Sequence, residues 1–286
     1  MESKRTLDSH TILYGVFGDP IRHSRSPIML NRAFQETGVN AAYAAFHVTQ
    51  QGLGDAIRGI RSLGYRGINV TIPHKVEVMQ YLDEIDEGAQ VIGAVNTIVN
   101  DAGRLIGYNT DGIGYVRSLK EETGIELQGK TVLLLGAGGA ARGIAYALAK
   151  EGAACIYIAN RTKERAVELA GTIGGFTKAI GLGLDELEQV IGDAELIVNT
   201  TSAGMHPNVD ELPMSADLLR SHHLVSDLIY NPRITKFLRV AEALGARIHG
   251  GLGMFIYQGA YAFEYWTGTP APVGAMRQVV EQSLAE

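Results

Sequence analysis

Short apolar runs alternate along the chain with longer stretches in which apolar residues recur every three or four positions. The first kind reads as buried strands and the second as helices packed on them. In the first third, strands are predicted at Thr11–Phe17, Ala42–His47 and Gly67–Ile72, with helices at Pro27–Thr37 and Leu53–Leu63 between them. Pro27 suits a first helical position, with Ser26 before it as the N-cap. Thr97–Val99 and Leu105–Gly107 flank Asp101-Ala102-Gly103-Arg104 and read as a hairpin. A helix from Asp111 to about Glu122 follows. Beyond it come strand 130–135, helix 140–150, strand 154–159, helix 163–171, strands 195–199 and 224–228, helix 234–244 and strand 246–249. Helices Phe255–Thr267 and Pro272–Leu284 close the chain. Alternation of this kind makes an α/β protein with largely parallel sheets.

The sharpest local signal is the turn after strand 130–135. Gly136-Ala137-Gly138-Gly139-Ala140-Ala141 follows G-x-G-x-x-G/A and opens directly into a helix. Gly136 permits the tight turn, Gly138 lets backbone approach a pyrophosphate, and small Ala141 allows close helix–strand packing. The helix offers its N-terminal amides to that pyrophosphate. Strand, turn, helix and next strand in register indicate a dinucleotide-binding Rossmann unit. At the tip of the second strand, NAD-binding versions place an acid on the ribose 2′-hydroxyl. Here the tip is Asn160-Arg161-Thr162-Lys163-Glu164-Arg165. A carboxylate would repel a 2′-phosphate, whereas a guanidinium grips it, so NADP (NADPH) is the expected cofactor and NAD a possible one. Thr162 is expected to cap the following helix.

At 286 residues the chain has room for two domains, and more than a hundred residues precede the dinucleotide unit. With 46% hydrophobic and 20% charged residues it has an ordinary globular composition. A net charge of −6 argues against nucleic acid or a membrane surface as partner. One cysteine, Cys155, excludes an internal disulfide. No apolar run approaches a membrane span and no secretory leader is visible, so a cytoplasmic protein is expected. The histidines show no spacing that compels a metal site.

A dinucleotide unit chooses no substrate. The first domain supplies polar clusters at the carboxyl ends of its strands: Ser24-Arg25-Ser26, Asn69-Val70-Thr71, His74-Lys75, Asn96-Thr97 and Asn109-Thr110-Asp111. Many neutral hydrogen-bonding groups around one lysine and one aspartate suit a polyhydroxylated ligand held in a cleft between two α/β domains.

These motifs carry a specific likeness. His23-Ser24-Arg25-Ser26-Pro27, the run Gly67–Lys75, Gly93-Ala94-Val95-Asn96-Thr97, Gly107–Gly112, Asn199–Met205 and Gly251-Leu252-Gly253-Met254 resemble the shikimate dehydrogenase family, including its quinate/shikimate branch. The match runs from about Tyr14 to Trp266. It implies a substrate-binding and catalytic domain over 1–111, completed by 252–286, and an NADP-binding Rossmann domain over 112–251. It implies reversible NADP-dependent reduction of 3-dehydroshikimate to shikimate in aromatic amino-acid biosynthesis. Lys75 falls on the family's catalytic lysine and Asp111 on its partner aspartate. Ser24 and Ser26 resemble the carboxylate-holding pair, and Asn69, Thr71, Asn96, Asp111 and Gln258 the groups on the ring hydroxyls. Tyr230 sits on a family position near the carboxylate. On the cofactor side the resemblance maps Gly136, Ala137, Gly138, Gly139, Ala140, Asn160, Arg161, Thr162, Arg165, Thr200, Ser202, Met205, Leu228 and Gly251. Glu87 falls on a further such position, although the acidic stretch 84–91 also reads as an ordinary helix.

Two other readings stand beside this one. Tyr230-Asn231-Pro232, Thr235-Lys236 and Trp266-Thr267-Gly268 echo the quinate branch, some members of which use NAD. A module that senses NADP without turnover is the third, though it would have no use for Lys75 and Asp111. A monomer or homodimer acting on a small molecule is expected.

Overall fold

The computed structural model describes residues 7–285. In chain order the elements are β1 (Ile12–Gly18), α1 (Ser26–Thr37), β2 (Ala41–His47), α2 (Leu53–Ser62), β3 (Gly67–Val70), β4 (Glu84–Ile85), α3 (Glu87–Ile92), β5 (Thr97–Asp101), β6 (Arg104–Tyr108) and α4 (Asp111–Thr123). There follow β7 (Thr131–Leu135), α5 (Gly139–Lys150), β8 (Cys155–Ala159), α6 (Lys163–Ile173), β9 (Lys178–Leu182), β10 (Leu196–Asn199), β11 (Leu224–Asp227), α7 (Lys236–Ala243), β12 (Arg247–His249), α8 (Leu252–Thr267) and α9 (Val273–Ala285). The chain divides into two units, one running to Thr110 and resuming at Gln258, the other spanning Asp111–Tyr257.

The first unit is built on a mixed six-stranded sheet, ordered β2-β1-β3-β5-β6-β4. β2, β1 and β3 run parallel, and β5 pairs antiparallel with both β3 and β6. The β5–β6 hairpin turns through Ala102 and Gly103, both at positive φ, as a two-residue turn between right-twisted strands requires. On one face, Leu53, Ile57 and Ile60 of α2, at helical spacing, pack against Phe17, Ile68, Val70 and Ile98. Aromatic rings stack elsewhere in the unit: Tyr14 lies on Phe34 and on Trp266, each with ring centres 5.0 Å apart. Trp266 Nε1 donates to the Ile98 carbonyl at 2.9 Å, and its indole occupies the space a side chain at Gly67 would need. The edge strand β2 is closed at Tyr43 by Asn31, whose amide donates to the Tyr43 carbonyl (2.8 Å) and accepts from its N–H (2.9 Å). A side chain thereby takes the place of a neighbouring strand.

The second unit is an all-parallel sheet, β12-β11-β10-β7-β8-β9, with apolar clusters on both faces. Such a sheet requires continuous apolar strands, and Val132, Leu133, Leu134 and Leu135 are completely buried. The strand order reverses between β7 and β10, the position at which open α/β sheets form their ligand crevice. No helix among the described residues is long and apolar enough to cross a membrane.

Several expectations are corrected in detail. Ser26 is the first residue of α1 and Arg25 occupies the cap, with no side-chain cap bond; the Ser26 N–H is met by Ser24 Oγ at 3.3 Å instead. Thr162 takes the cap position of α6, but its hydroxyl makes no cap bond. The stretch 84–91 divides into β4 and α3, because Asp86 ends the strand and accepts from the Gly88 and Ala89 amides. β9 has no counterpart in the hydrophobic pattern.

Candidate active site

In the first unit three of the polar clusters singled out in the sequence, through Asn69, Asn96-Thr97 and Thr110, form one hydrogen-bonded assembly. β3 and β5 are antiparallel neighbours with Asn69 opposite Thr97, so their polar ends meet. Asn69 Nδ2 donates to the Asn96 carbonyl (3.2 Å) and to Thr97 Oγ1 (3.1 Å). Asn96 Oδ1 accepts from the Thr110 amide at 2.8 Å and from Thr97 Oγ1 at 2.9 Å, while its Nδ2 donates to Thr110 Oγ1 at 3.0 Å. Thr110 Oγ1 in turn donates to the Gln258 carbonyl at 3.1 Å. Asn69, Asn96, Thr97 and Thr110 are buried, and buried amides hold one orientation only when their partners are supplied in this way.

Thr71 and Lys75 bracket the turn after β3. The His74 amide donates to the Thr71 carbonyl at 2.9 Å, and the Val95 amide to the Lys75 carbonyl at 2.8 Å. The backbone of Lys75 is thus fastened to the segment carrying Asn96. Ser24 is half-buried and Ser26 buried, at the start of α1. His74 is fully buried, with Nε2 2.6 Å from the Val48 carbonyl. Glu87 is an exposed first-turn residue of α3.

In the second unit, parallel strands bring the remaining positions to one end of the sheet. Gly136 has φ +109°, and a side chain there would collide with Thr200 Oγ1 on the neighbouring β10 loop. Thr200 is pinned by its own amide and hydroxyl, which donate to the Leu135 carbonyl at 2.9 and 2.7 Å. Gly138 precedes α5 with open space around its missing side chain, and Ala141 is fully buried against the sheet. A backbone open at Gly138 with helix amides behind it suits a pyrophosphate. At the tip of β8, Asn160 Nδ2 donates to the Thr162 carbonyl at 2.9 Å and shapes the loop that exposes Arg161, while Arg165 is exposed in the first turn of α6. Lys163 is ion-paired with Glu186 at 2.6 Å, so its charge is already matched. Ser202 and Met205 are exposed on the β10 loop. Gly251 approaches the Leu228 carbonyl so closely that no side chain could stand there. Tyr230 stacks on Phe255, ring centres 4.4 Å apart. Asp111 begins α4 and is buried.

The chain matches the model for the shikimate dehydrogenase substrate binding domain over residues 16–98, that for shikimate/quinate 5-dehydrogenase over 118–233, and that for the shikimate 5′-dehydrogenase C-terminal domain over 251–281. It is 51% identical over 272 residues to a Geobacillus sp. (strain WCH70) protein named shikimate dehydrogenase (NADP(+)), covering 95% of this chain and 98% of that one. The chain belongs to the shikimate dehydrogenase family. Among solved structures, a shikimate dehydrogenase in complex with NADP+ is 44% identical with a TM-score of 0.92, covering 98% of both chains. Another, shikimate 5-dehydrogenase from Listeria monocytogenes in complex with shikimate and NAD, is 39% identical with a TM-score of 0.90, covering 98% of this chain and all of that one. The fold is the family's, with an N-terminal α/β domain, a Rossmann domain and terminal helices that return to the first.

Two residues of this family member escaped the motif reading. Asp227, at the end of β11, is fully buried and accepts from Asn199 Nδ2 (3.1 Å), the Ile229 amide (3.0 Å) and Thr235 Oγ1 (2.7 Å). It ties the β10 loop, the Leu228–Tyr230 segment and the cap of α7 to one carboxyl group. Burial raises its pKa to about 6, against the pull of those three donors. The second is Tyr43, whose phenol reaches Asn69 from β2. Neither carries a local signal: Tyr43 reaches Asn69 of another strand, and Asp227 joins Asn199 of another strand to the segment that follows it.

Proposed function

We propose that this chain catalyses the reversible reduction of 3-dehydroshikimate to shikimate with NADPH, in the cytoplasm, as a step of aromatic amino-acid biosynthesis. The observation that carries the reading is the buried assembly of Asn69, Asn96, Thr97 and Thr110, in a chain of this family. In this reading Ser24, Ser26 and Tyr230 take the substrate carboxylate, and Asn69, Thr71, Asn96, Asp111 and Gln258 take ring hydroxyls. Gly136–Ala140, Asn160–Thr162, Arg165, Thr200, Ser202, Met205, Leu228 and Gly251 hold the nucleotide.

The bound nucleotide supplies the hydride. Lys75 is the acid: its ammonium donates a proton to the substrate oxygen as the carbonyl carbon is reduced, so that no free alkoxide accumulates. In the reverse direction the amine takes that proton from the hydroxyl. Asp111 falls on the position of the family's partner aspartate.

Lys75→Ala tests the assignment. Turnover is expected to fall roughly 10²–10⁴-fold, the usual worth of an acid–base group, with NADPH binding retained. Wild-type turnover in that variant would remove the lysine from the chemistry. A second reading, quinate oxidation with NAD, draws on the NAD-bound relative from Listeria. Comparing kcat/KM for shikimate and quinate with each nucleotide separates the two.

A further inference from the structure

Tyr43 is buried in β2, and its phenol oxygen lies 2.7 Å from Asn69 Oδ1. The sheet register explains the reach. Tyr43 stands opposite Tyr14 of β1, and Tyr14 opposite Gly67 of β3. Asn69 is two residues further along β3 and therefore on the same face. Gly67, at the end of that row, adds no side chain of its own.

The hydrogen-bond directions are fixed by chemistry. The Asn96 carbonyl can only accept, so the Asn69 atom facing it is Nδ2, and the atom facing Tyr43 is the amide oxygen. The phenol is consequently the donor. Both N–H groups of Asn69 are committed, to the Asn96 carbonyl and to Thr97 Oγ1, which leaves one lone pair on Oδ1. Burial lifts the phenol's pKa well above its ordinary range, so Tyr43 keeps its proton at any working pH.

We propose that Tyr43 is a positioning residue for the substrate: by donating to Asn69 Oδ1 it locks the amide so that a ring hydroxyl meets one oxygen lone pair and no N–H. The hydroxyl bound there must therefore donate. This rests on the reading that Asn69 binds the substrate ring.

The test is Tyr43→Phe, which keeps the ring against Trp266 and removes only the O–H. KM for shikimate is expected to rise roughly ten-fold, the worth of one lost hydrogen bond in a fixed geometry, with the NADPH dissociation constant and the unfolding midpoint little changed. Because the effect passes through Asn69, the double variant Tyr43→Phe/Asn69→Ala is expected to be no worse than Asn69→Ala alone. A wild-type KM in Tyr43→Phe, or additive losses in the double variant, would overturn the proposal. Should Tyr43→Phe not fold, Thr97→Val loosens the same amide from its Nδ2 end, and an unchanged KM there would also overturn it. Wild-type protein inactive on shikimate would bring down the proposed function and this inference together. An active wild type with an unaffected Tyr43→Phe brings down the inference alone.

Discussion

Arg161 stands exposed just beyond β8 and Arg165 in the first turn of α6, whereas Lys163 is engaged by Glu186. The sequence presents three cations for a 2′-phosphate, and the ion pair reduces them to two. Arg161→Ala is expected to raise KM for NADP about 10–100-fold while moving KM for NAD little, in line with the worth of a charge-assisted bond. Equal effects on both nucleotides would undo the 2′-phosphate assignment. Asp227 makes a different prediction. Its folded-state pKa of about 6 lies above the ordinary carboxylate value near 4, so its contribution to stability is fully present below about pH 4. That contribution is lost as the pH rises through about 6, by roughly 3 kcal/mol. Denaturant unfolding of wild type and Asp227→Asn across this window checks it: the variant should lack that fall, and parallel profiles would count against the assignment. Most candidate residues were readable in the sequence because they cluster in short motifs at strand ends. Tyr43 and Asp227 were not, since a tyrosine in Ala-Ala-Tyr-Ala-Ala-Phe-His reads as packing until the order of strands is known.

Helices α4 and α5 approach closely because residue 112 has no side chain. A Cβ at Gly112 would stand 2.2 Å from the Gly143 carbonyl oxygen and 2.9 Å from Ala147 Cβ. Backbone cannot yield as a side-chain tip can, so Gly112→Ala is expected to destabilise the protein by about 1–3 kcal/mol, measured by urea unfolding. A variant as stable as wild type would mean that the helix pair can separate freely. Long elements with clear periodicity, such as α1, α2 and the β7–α5–β8 series, were evident from the hydrophobic pattern. β9 was hidden: Lys178-Ala179-Ile180-Gly181-Leu182 is a half-covered edge strand whose alternation is broken by Gly181. Gly181 is there because α6 passes so close that a Cβ would strike the Val167 backbone. The caps were misjudged for a related reason. Ser26 carries the right chemistry for a cap, but whether its oxygen faces its own helix depends on neighbours that local sequence does not specify.

Each unit has its own sheet and apolar interior, and the chain's single tryptophan, Trp266, belongs to the first. Tryptophan fluorescence therefore follows that unit alone, while far-ultraviolet circular dichroism follows both. Saturating NADP stabilises whatever binds it by roughly 3–4 kcal/mol at a hundred- to thousand-fold excess over Kd. Added NADP is expected to raise the dichroism transition. Equal shifts in both would show that the units unfold as one. The segment from Gln258 onward returns to complete the first unit, supplying Trp266 and Met276 to its interior. During synthesis this reverses the usual precedence of early-made segments. The stretch from Asp111 to Tyr257 is continuous and can assemble as it emerges from the ribosome, whereas the segment before it must wait, with an unfinished apolar surface, for the segment from Gln258 onward.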